Sequence, residues 1–323
     1  MPAAAVSPAA TGRRAAGDSP ATTGIPVEVA TRGEGLPAAV SPSQVTTYLS
    51  CPLRYYFATV GRWREPPSPA TIAGSLVHDT FEALYREAPA DRTRQRAHDL
   101  LRAEAAECFS APENAPYARD PDVADLAKAS VDGLFEVEDP TRVAVAATDL
   151  AAAVATEVGG VRFAGRLDRR SRGEVDRLTD YKTGQRPAAA DLGDALRQLH
   201  LSAAALEVTG DPVDEVELLY VAVGTRVRRP VYRAVLDDAV ATLSTMRASS
   251  AESLQRNTWE ARRGPLCRRC AFRRACPVLR HGAPAPGTAD SDLLLTGTGL
   301  QRRSGPRPEP RQADPATAAD HAR

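Results

Sequence analysis

Apolar positions repeat at helical spacing through the first half of this chain and give way to short β-branched runs in the second. Ser41-Pro42-Ser43-Gln44 has the form of a capping box. Ser41 caps, Pro42 suits the first helical position, and Gln44 stands three residues on. The helix it opens is predicted to stop near Cys51-Pro52, because a proline disfavours the α region for the residue before it. Pro69 to about Glu87 reads as a second helix with Ala73, Val77, Phe81 and Leu84 on one stripe. Two more helical stretches follow, at roughly 92–110 and 121–136. Arg142–Ala155, Val161–Arg169 and Val175–Tyr181 then read as consecutive strands separated by turns. Asp191–Glu207 is predicted helical, Val216–Val223 a strand with a continuous apolar run, and Asp237–Leu254 helical. Helices, a three-strand meander, a helix and another strand predict an α/β fold on a small mixed sheet.

The two ends lack this periodicity. Residues 1–39 and 282–323 are rich in Ala, Pro, Thr, Arg and Gly and are expected to be disordered tails. Between them, 40–281 is expected to form one unit, with the helices at about 90–140 as an insert. The 41 Lys and Arg balance 41 Asp and Glu, so any basic patch must be local. No apolar run is long enough to cross a bilayer, the first residues lack a signal-peptide core, and five unevenly spaced cysteines do not make a secreted disulfide framework. The expectation is a cytoplasmic protein without a membrane partner.

Two segments carry candidate chemistry: Gly165-Arg166-Leu167-Asp168 and Thr179-Asp180-Tyr181-Lys182-Thr183-Gly184. Asp180 and Lys182 are two apart on a predicted strand, so both side chains leave the same face. The polar turn at Ser171–Asp176 allows antiparallel pairing that brings Asp168 beside Asp180. Two carboxylates and a lysine at one sheet end suit Mg²⁺ or Mn²⁺, which prefer oxygen ligands. Asp-x-Lys on a strand is also the pattern of a solvated edge. The chain's lysine usage separates the two readings: only Lys128 and Lys182 are lysine, the remaining basic residues being arginine. Arginine would serve a solvated face equally well, whereas a site needing a compact ammonium would not accept it.

Gly-Arg-Leu-Asp followed by Asp-Tyr-Lys-Thr-Gly resembles the metal-binding core of the PD-(D/E)XK nuclease superfamily, in its RecB-like exonuclease branch. Ser41–Phe57, the Gly74-Ser75-Leu76-Val77-His78 helix, Gln198-Leu199-His200-Leu201 and the cysteines at 267–277 resemble further segments of that branch, in its order. The resemblance implies a restriction-endonuclease-like core: a small mixed sheet flanked by helices, with an additional helical insert. It implies Asp168, Asp180 and the Tyr181 carbonyl as ligands of Mg²⁺ or Mn²⁺, with His78 completing the shell. It also implies Lys182 as the catalytic lysine and Gln198 as a residue that positions DNA or the active-site groups. Without it, His78 reads as a structural histidine and Gln198 as a surface residue. The branch usually has a tyrosine four residues after that glutamine; here it is Ser202.

Cys267-x2-Cys270-x5-Cys276-Pro277 is a tight thiol cluster, and Cys51 lies far upstream. Three ligands from one segment and one from afar is poor zinc-finger spacing. The pattern resembles the iron–sulphur staple of this nuclease branch, which implies a [4Fe–4S] cluster on Cys51, Cys267, Cys270 and Cys276. A Cys₄ zinc site is the rival. Cys108 shares a helical stripe with Leu101 and Ala105 and reads as a core thiol. Arg268, Arg269, Arg273 and Arg274 between the cysteines either face thiolate charge and DNA phosphates or form a solvated basic turn.

Neither lysine follows a glycine, so the sequence has no P-loop and is expected to encode no helicase motor. The expectation is a metal-dependent DNA nuclease of repair or recombination, acting on single-stranded or frayed ends, with any helicase supplied by another chain. Two alternatives stay open: a CRISPR-associated spacer-acquisition nuclease, and a catalytically silent DNA-binding module with zinc in the Cys₄ site.

Overall fold

Ser41 caps the first helix as its spacing predicts. Its Oγ accepts from the Gln44 N–H at 3.3 Å, while Gln44 Oε1 accepts from the Ser41 N–H at 3.0 Å. The computed structural model describes residues 24–29, 35–148, 156–189 and 192–279. Helix α1 (Pro42–Ser50) ends where Cys51 turns extended, and Pro52 then opens the short α2 (Pro52–Tyr55). Helices α3 (Pro69–Arg86), α4 (Arg94–Cys108) and α5 (Pro121–Val137) follow, with Ser68, Thr93 and Asp120 as side-chain caps.

The sheet occupies the middle of the chain. Strands β2 (Val145–Thr148), β5 (Arg169–Ser171), β6 (Arg177–Lys182), β7 (Glu215–Tyr220) and β8 (Thr225–Pro230) lie in the order β2-β5-β6-β7-β8. Only β6 and β7 are parallel. Parallel neighbours need a crossover, and α6 (Leu192–Val208) supplies it. Helix α7 (Arg233–Arg256) lies beside α6. A hairpin of β3 (Thr156–Val158) and β4 (Val161–Phe163) turns through Gly159 and Gly160, whose φ angles of 55° and 76° are left-handed.

Alternation along β6 and β7 builds two cores. Leu178, Val216, Leu218 and Tyr220 pack with α1, α6 and α7. Tyr181 and Leu219 face the other way, against Phe81, Leu84, Val131 and Leu134 of α3 and α5. The helices expected at 90–140 are present as α4 and α5, and α5 lies directly on the segment after β7. There a Cβ added to Gly133 would stand 1.9 Å from the Val221 carbonyl oxygen.

Three sequence expectations are corrected. Val161–Arg169 is not one strand: β4 ends at Phe163, and the chain resumes as β5 at Arg169. The expected strand Arg142–Ala155 is β2 alone among the described residues, since 149–155 lie outside them. Residues 1–39 are not uniformly a tail. Ile25–Glu28 forms β1, antiparallel to β9 (Thr258–Ala261), and the buried Val29 donates its N–H to the Asn257 carbonyl at 2.8 Å. Four residues in a Pro/Ala/Thr-rich stretch have no local signal, because their partner lies far along the chain. The expected tail at 282–323 and residues 1–23 lie outside the described residues. No helix among the described residues is long and apolar enough to cross a membrane.

The contact at Gly133 gives a test. Gly133→Ala gains at most about 1 kcal/mol of helix propensity but forces α5 off the Val221 carbonyl, an overpacking that typically costs ~1–3 kcal/mol. Urea denaturation should show a net loss of stability; a gain would mean that α5 is free to shift.

Candidate active site

The antiparallel pairing of β5 with β6 sets Arg169 opposite Thr179 and Ser171 opposite Arg177. Continued by one residue, that register carries Asp168 to the level of Asp180. Asp168 itself lies in the Ala164–Asp168 segment leading into β5, rather than at the end of a preceding strand. The Tyr181 main-chain N–H donates to Asp168 Oδ2 at 2.8 Å, which closes the approach. Asp180 and Lys182 share the face of β6 that carries Leu178, and Lys182 Nζ stands 2.6 Å from Asp180 Oδ2. His78 arrives from α3, its Nδ1 3.1 Å from Asp168 Oδ1. Four of the residues singled out in the sequence thus meet at one end of β6.

The electrostatics set the two carboxylates apart. Burial favours the neutral form of Asp168, but the hydrogen bond and charge of His78, with the Tyr181 N–H, outweigh it and lower its pKa. Asp180 moves the other way: burial and the negative charge of Asp168 raise it, against the pull of Lys182. Burial alone would lower the pKa values of His78 and Lys182, yet the carboxylates raise both. Near neutrality Lys182 is an ammonium held by Asp180. The other lysine, Lys128, makes a surface i,i+4 pair with Asp132 at 2.7 Å.

The remaining expectations distribute differently. Gln198, on the crossover helix, donates from Nε2 to Thr46 Oγ1 on α1 at 3.2 Å. Ser202 is buried, with its Oγ donating to the Gln198 carbonyl at 3.1 Å, so a tyrosine there would have to displace core side chains. A Cβ at Gly74 would meet only Thr183 Oγ1 at 3.7 Å, an ordinary contact, so packing does not demand glycine there. Cys51, Cys267, Cys270 and Cys276 all line one cavity of ≈ 930 Å³, with Leu53, Phe57 and Phe272 as apolar walls. Burial, with smaller effects from neighbouring thiols, raises the pKa values of Cys270 and Cys276. Cys108 stands apart, partly buried at the edge of the α3–α5 core, as are Leu101 and Ala105. Arg268, Arg269, Arg273 and Arg274 are exposed.

Sequence reasoning missed the charges buried behind Asp168. The Arg169 side chain is only 2% exposed, and its Nη2 donates to Glu138 Oε2 at 3.1 Å. Glu217, fully buried on β7, is 3.6 Å from Arg169 and 2.6 Å from Arg228. An Arg-Arg-Ser strand reads as solvated. The available signal was complementary: Glu217 lies inside the otherwise apolar run of β7, and a carboxylate there requires a cation.

Among the described residues no three His, Cys, Asp or Glu side chains converge as a ready-made metal cage. Asp168 and Asp180 nevertheless fit a hard divalent cation as a donor pair. They are two adjacent carboxylates whose charges oppose each other, and the buried Asp180 Oδ2 accepts no well-directed hydrogen bond although Lys182 faces it.

The protein-family model for the PD-(D/E)XK nuclease superfamily matches residues 39–277, and the chain belongs to that superfamily. Members of that superfamily are nucleases that hydrolyse DNA and usually use Mg²⁺ or Mn²⁺. No curated protein matches the sequence.

A cation bound at the carboxylates stabilises the folded state by mass action. The melting temperature should therefore rise with added Mn²⁺ in the wild type and stay flat in Asp168→Asn. Equal responses in the two proteins would place the metal elsewhere.

Proposed function

We propose that the protein is a RecB-like nuclease of DNA repair or recombination, hydrolysing phosphodiester bonds of single-stranded or frayed DNA ends in the cytoplasm. The observation that carries this reading is the convergence of Asp168, Asp180 and Lys182 at one end of β6. The sequence has no P-loop, so the nuclease would act alone on such ends or with a helicase supplied by another chain.

Asp168, Asp180 and the Tyr181 carbonyl would hold Mg²⁺ or Mn²⁺, with His78 turning from Asp168 to complete the shell. The ion supplies Lewis acidity toward the scissile phosphate and acidifies a water. Lys182, now held to Asp180, would turn its ammonium toward the attacking water and the charge that grows on the pentacovalent phosphorus. The water oxygen would bond to phosphorus as one ester P–O bond breaks, the water giving up a proton and the departing sugar oxygen taking one up from solvent, with no covalent enzyme intermediate. Gln198, braced by Thr46, would position DNA beside α6.

The four thiols around one cavity support the finer reading that Cys51, Cys267, Cys270 and Cys276 hold a [4Fe–4S] cluster. Burial disfavours the thiolates of Cys270 and Cys276, and cluster iron would offset their charge. Protein purified without oxygen should absorb near ~400 nm and lose that band in Cys267→Ser. A colourless protein with stoichiometric zinc would replace the cluster with a Cys₄ zinc site.

Cleavage of end-labelled single- and double-stranded DNA with Mn²⁺ tests the activity. Lys182→Ala should cut at least about a hundredfold more slowly than wild type, the loss typical of a removed transition-state donor. Equal rates would mean that Lys182 takes no part. No cleavage by either protein, with DNA still bound, would favour a silent binding module.

A further inference from the structure

The residue after Asp168 points into the opposite side of the sheet, and its surroundings are unusual for an arginine. Both guanidinium Nη atoms of Arg169 donate to the two oxygens of Glu138, at 2.5 and 3.1 Å. Nη2 also reaches Thr179 Oγ1 at 3.3 Å. The guanidinium carbon lies 4.5 Å from the Tyr85 ring centre and 5.6 Å from that of Tyr181. Glu138 caps the C-terminal end of α5, and the Tyr85 hydroxyl donates to it as well.

These contacts reach the supports of the candidate site. Tyr181 gives its N–H to Asp168, and its ring packs edge-on against Phe81 at 4.8 Å. Tyr85 is seven residues after His78 on α3, two turns along the same face. Thr179 lies opposite Arg169 in the register that brings Asp168 to Asp180. One buried guanidinium therefore touches β6 on both sides of Asp180, the helix that carries His78, and the end of α5.

We propose that the Arg169–Glu138 pair is a positioning device for the Asp168 carboxylate. Its planar fork fixes the backbone of β5 against α5 and holds Asp168 between His78 and the Tyr181 N–H. Its consequence for metal binding rests on the nuclease reading above; the placement of Asp168 against His78 does not.

The test replaces the pair with apolar side chains of similar size, Arg169→Met with Glu138→Met, since buried ion pairs exchanged this way often keep their stability. Glu217 keeps Arg228 as its partner in that variant. Arg170→Met is the control. It breaks another buried ion cluster on β5, whose hydrogen bonds among the described residues run to Asp176, Asp211 and the Pro212 carbonyl, away from Tyr181 and α3. Two quantities are read: the imidazole ¹⁵N shifts of His78 in metal-free protein at one fixed pH, assigned with His78→Gln, and the Mn²⁺ concentration for half-maximal cleavage.

The double variant should fold with a melting temperature lowered only by the orphaned Tyr85 hydroxyl, move the His78 shifts away from the carboxylate-bound position, and need about ten- to a hundredfold more Mn²⁺, as when a partner of a metal ligand is lost. Arg170→Met should lose stability with both readouts unchanged. A folded double variant with unmoved His78 shifts and the same Mn²⁺ demand would overturn the proposal. So would Arg170→Met shifting both readouts as far, which would make the effect general destabilisation. If the double variant does not fold, Glu138→Gln, measured below its melting temperature, decides by the same two readouts. If the wild type cleaves no DNA, the nuclease reading falls, and the His78 shifts alone still decide the placement of Asp168.

Discussion

The pairing of β5 with β6 is the constraint on which the rest of this molecule depends. It is only three residues long, Arg169–Ser171 against Arg177–Thr179, yet it fixes both sides of the sheet at once. A one-residue slip would take Asp168 away from the Tyr181 N–H and bring Arg169 out from behind it. So short a ladder cannot hold its register by backbone bonds alone. The guanidinium of Arg169 supplies the rest, because removing one partner of a buried pair leaves an uncompensated charge, at about 3–5 kcal/mol. A misregistered chain would meet that penalty immediately.

The sheet keeps two kinds of charge apart. On the face toward α6, Asp180 and Lys182 sit beyond the last apolar residue of β6, half-buried and in reach of solvent. On the face toward α3 and α5, Arg169, Glu138 and Glu217 are enclosed and paired. Asp168 belongs to the boundary, accepting from a backbone N–H of β6 and facing a histidine from α3. The alternation of a β-strand accomplishes this separation: Thr179 and Tyr181 look one way, Leu178, Asp180 and Lys182 the other.

Much of this was legible in the sequence. The helices announced themselves through caps and stripes, because Ser41, Pro42 and Gln44, or Ala73, Val77 and Phe81, act within one or two turns of each other. The carboxylate pair was legible because a turn with polar residues joins its strands. What stayed hidden depends on distant partners. β1 gains its bonds from β9, far along the chain. β8, Thr-Arg-Val-Arg-Arg-Pro, reads as a polar loop until Glu217 beside it explains Arg228. Arg169 looked solvated for the same reason: nothing near it in sequence says that Glu138 waits beneath. The break between Phe163 and Arg169 was lost because β4 turns back on β3 in a hairpin of its own.

The β1–β9 ribbon has a geometric consequence for the cysteine cavity. Gly24, beside β1, and Glu260 and Ala261 of β9 line the cysteine cavity together with Leu53 of α2 and Leu279. Asp168, Asp180 and Lys182 are not among its lining residues. Whatever occupies that cavity would therefore touch the ribbon and α2 together, while leaving the strands that carry the carboxylates alone.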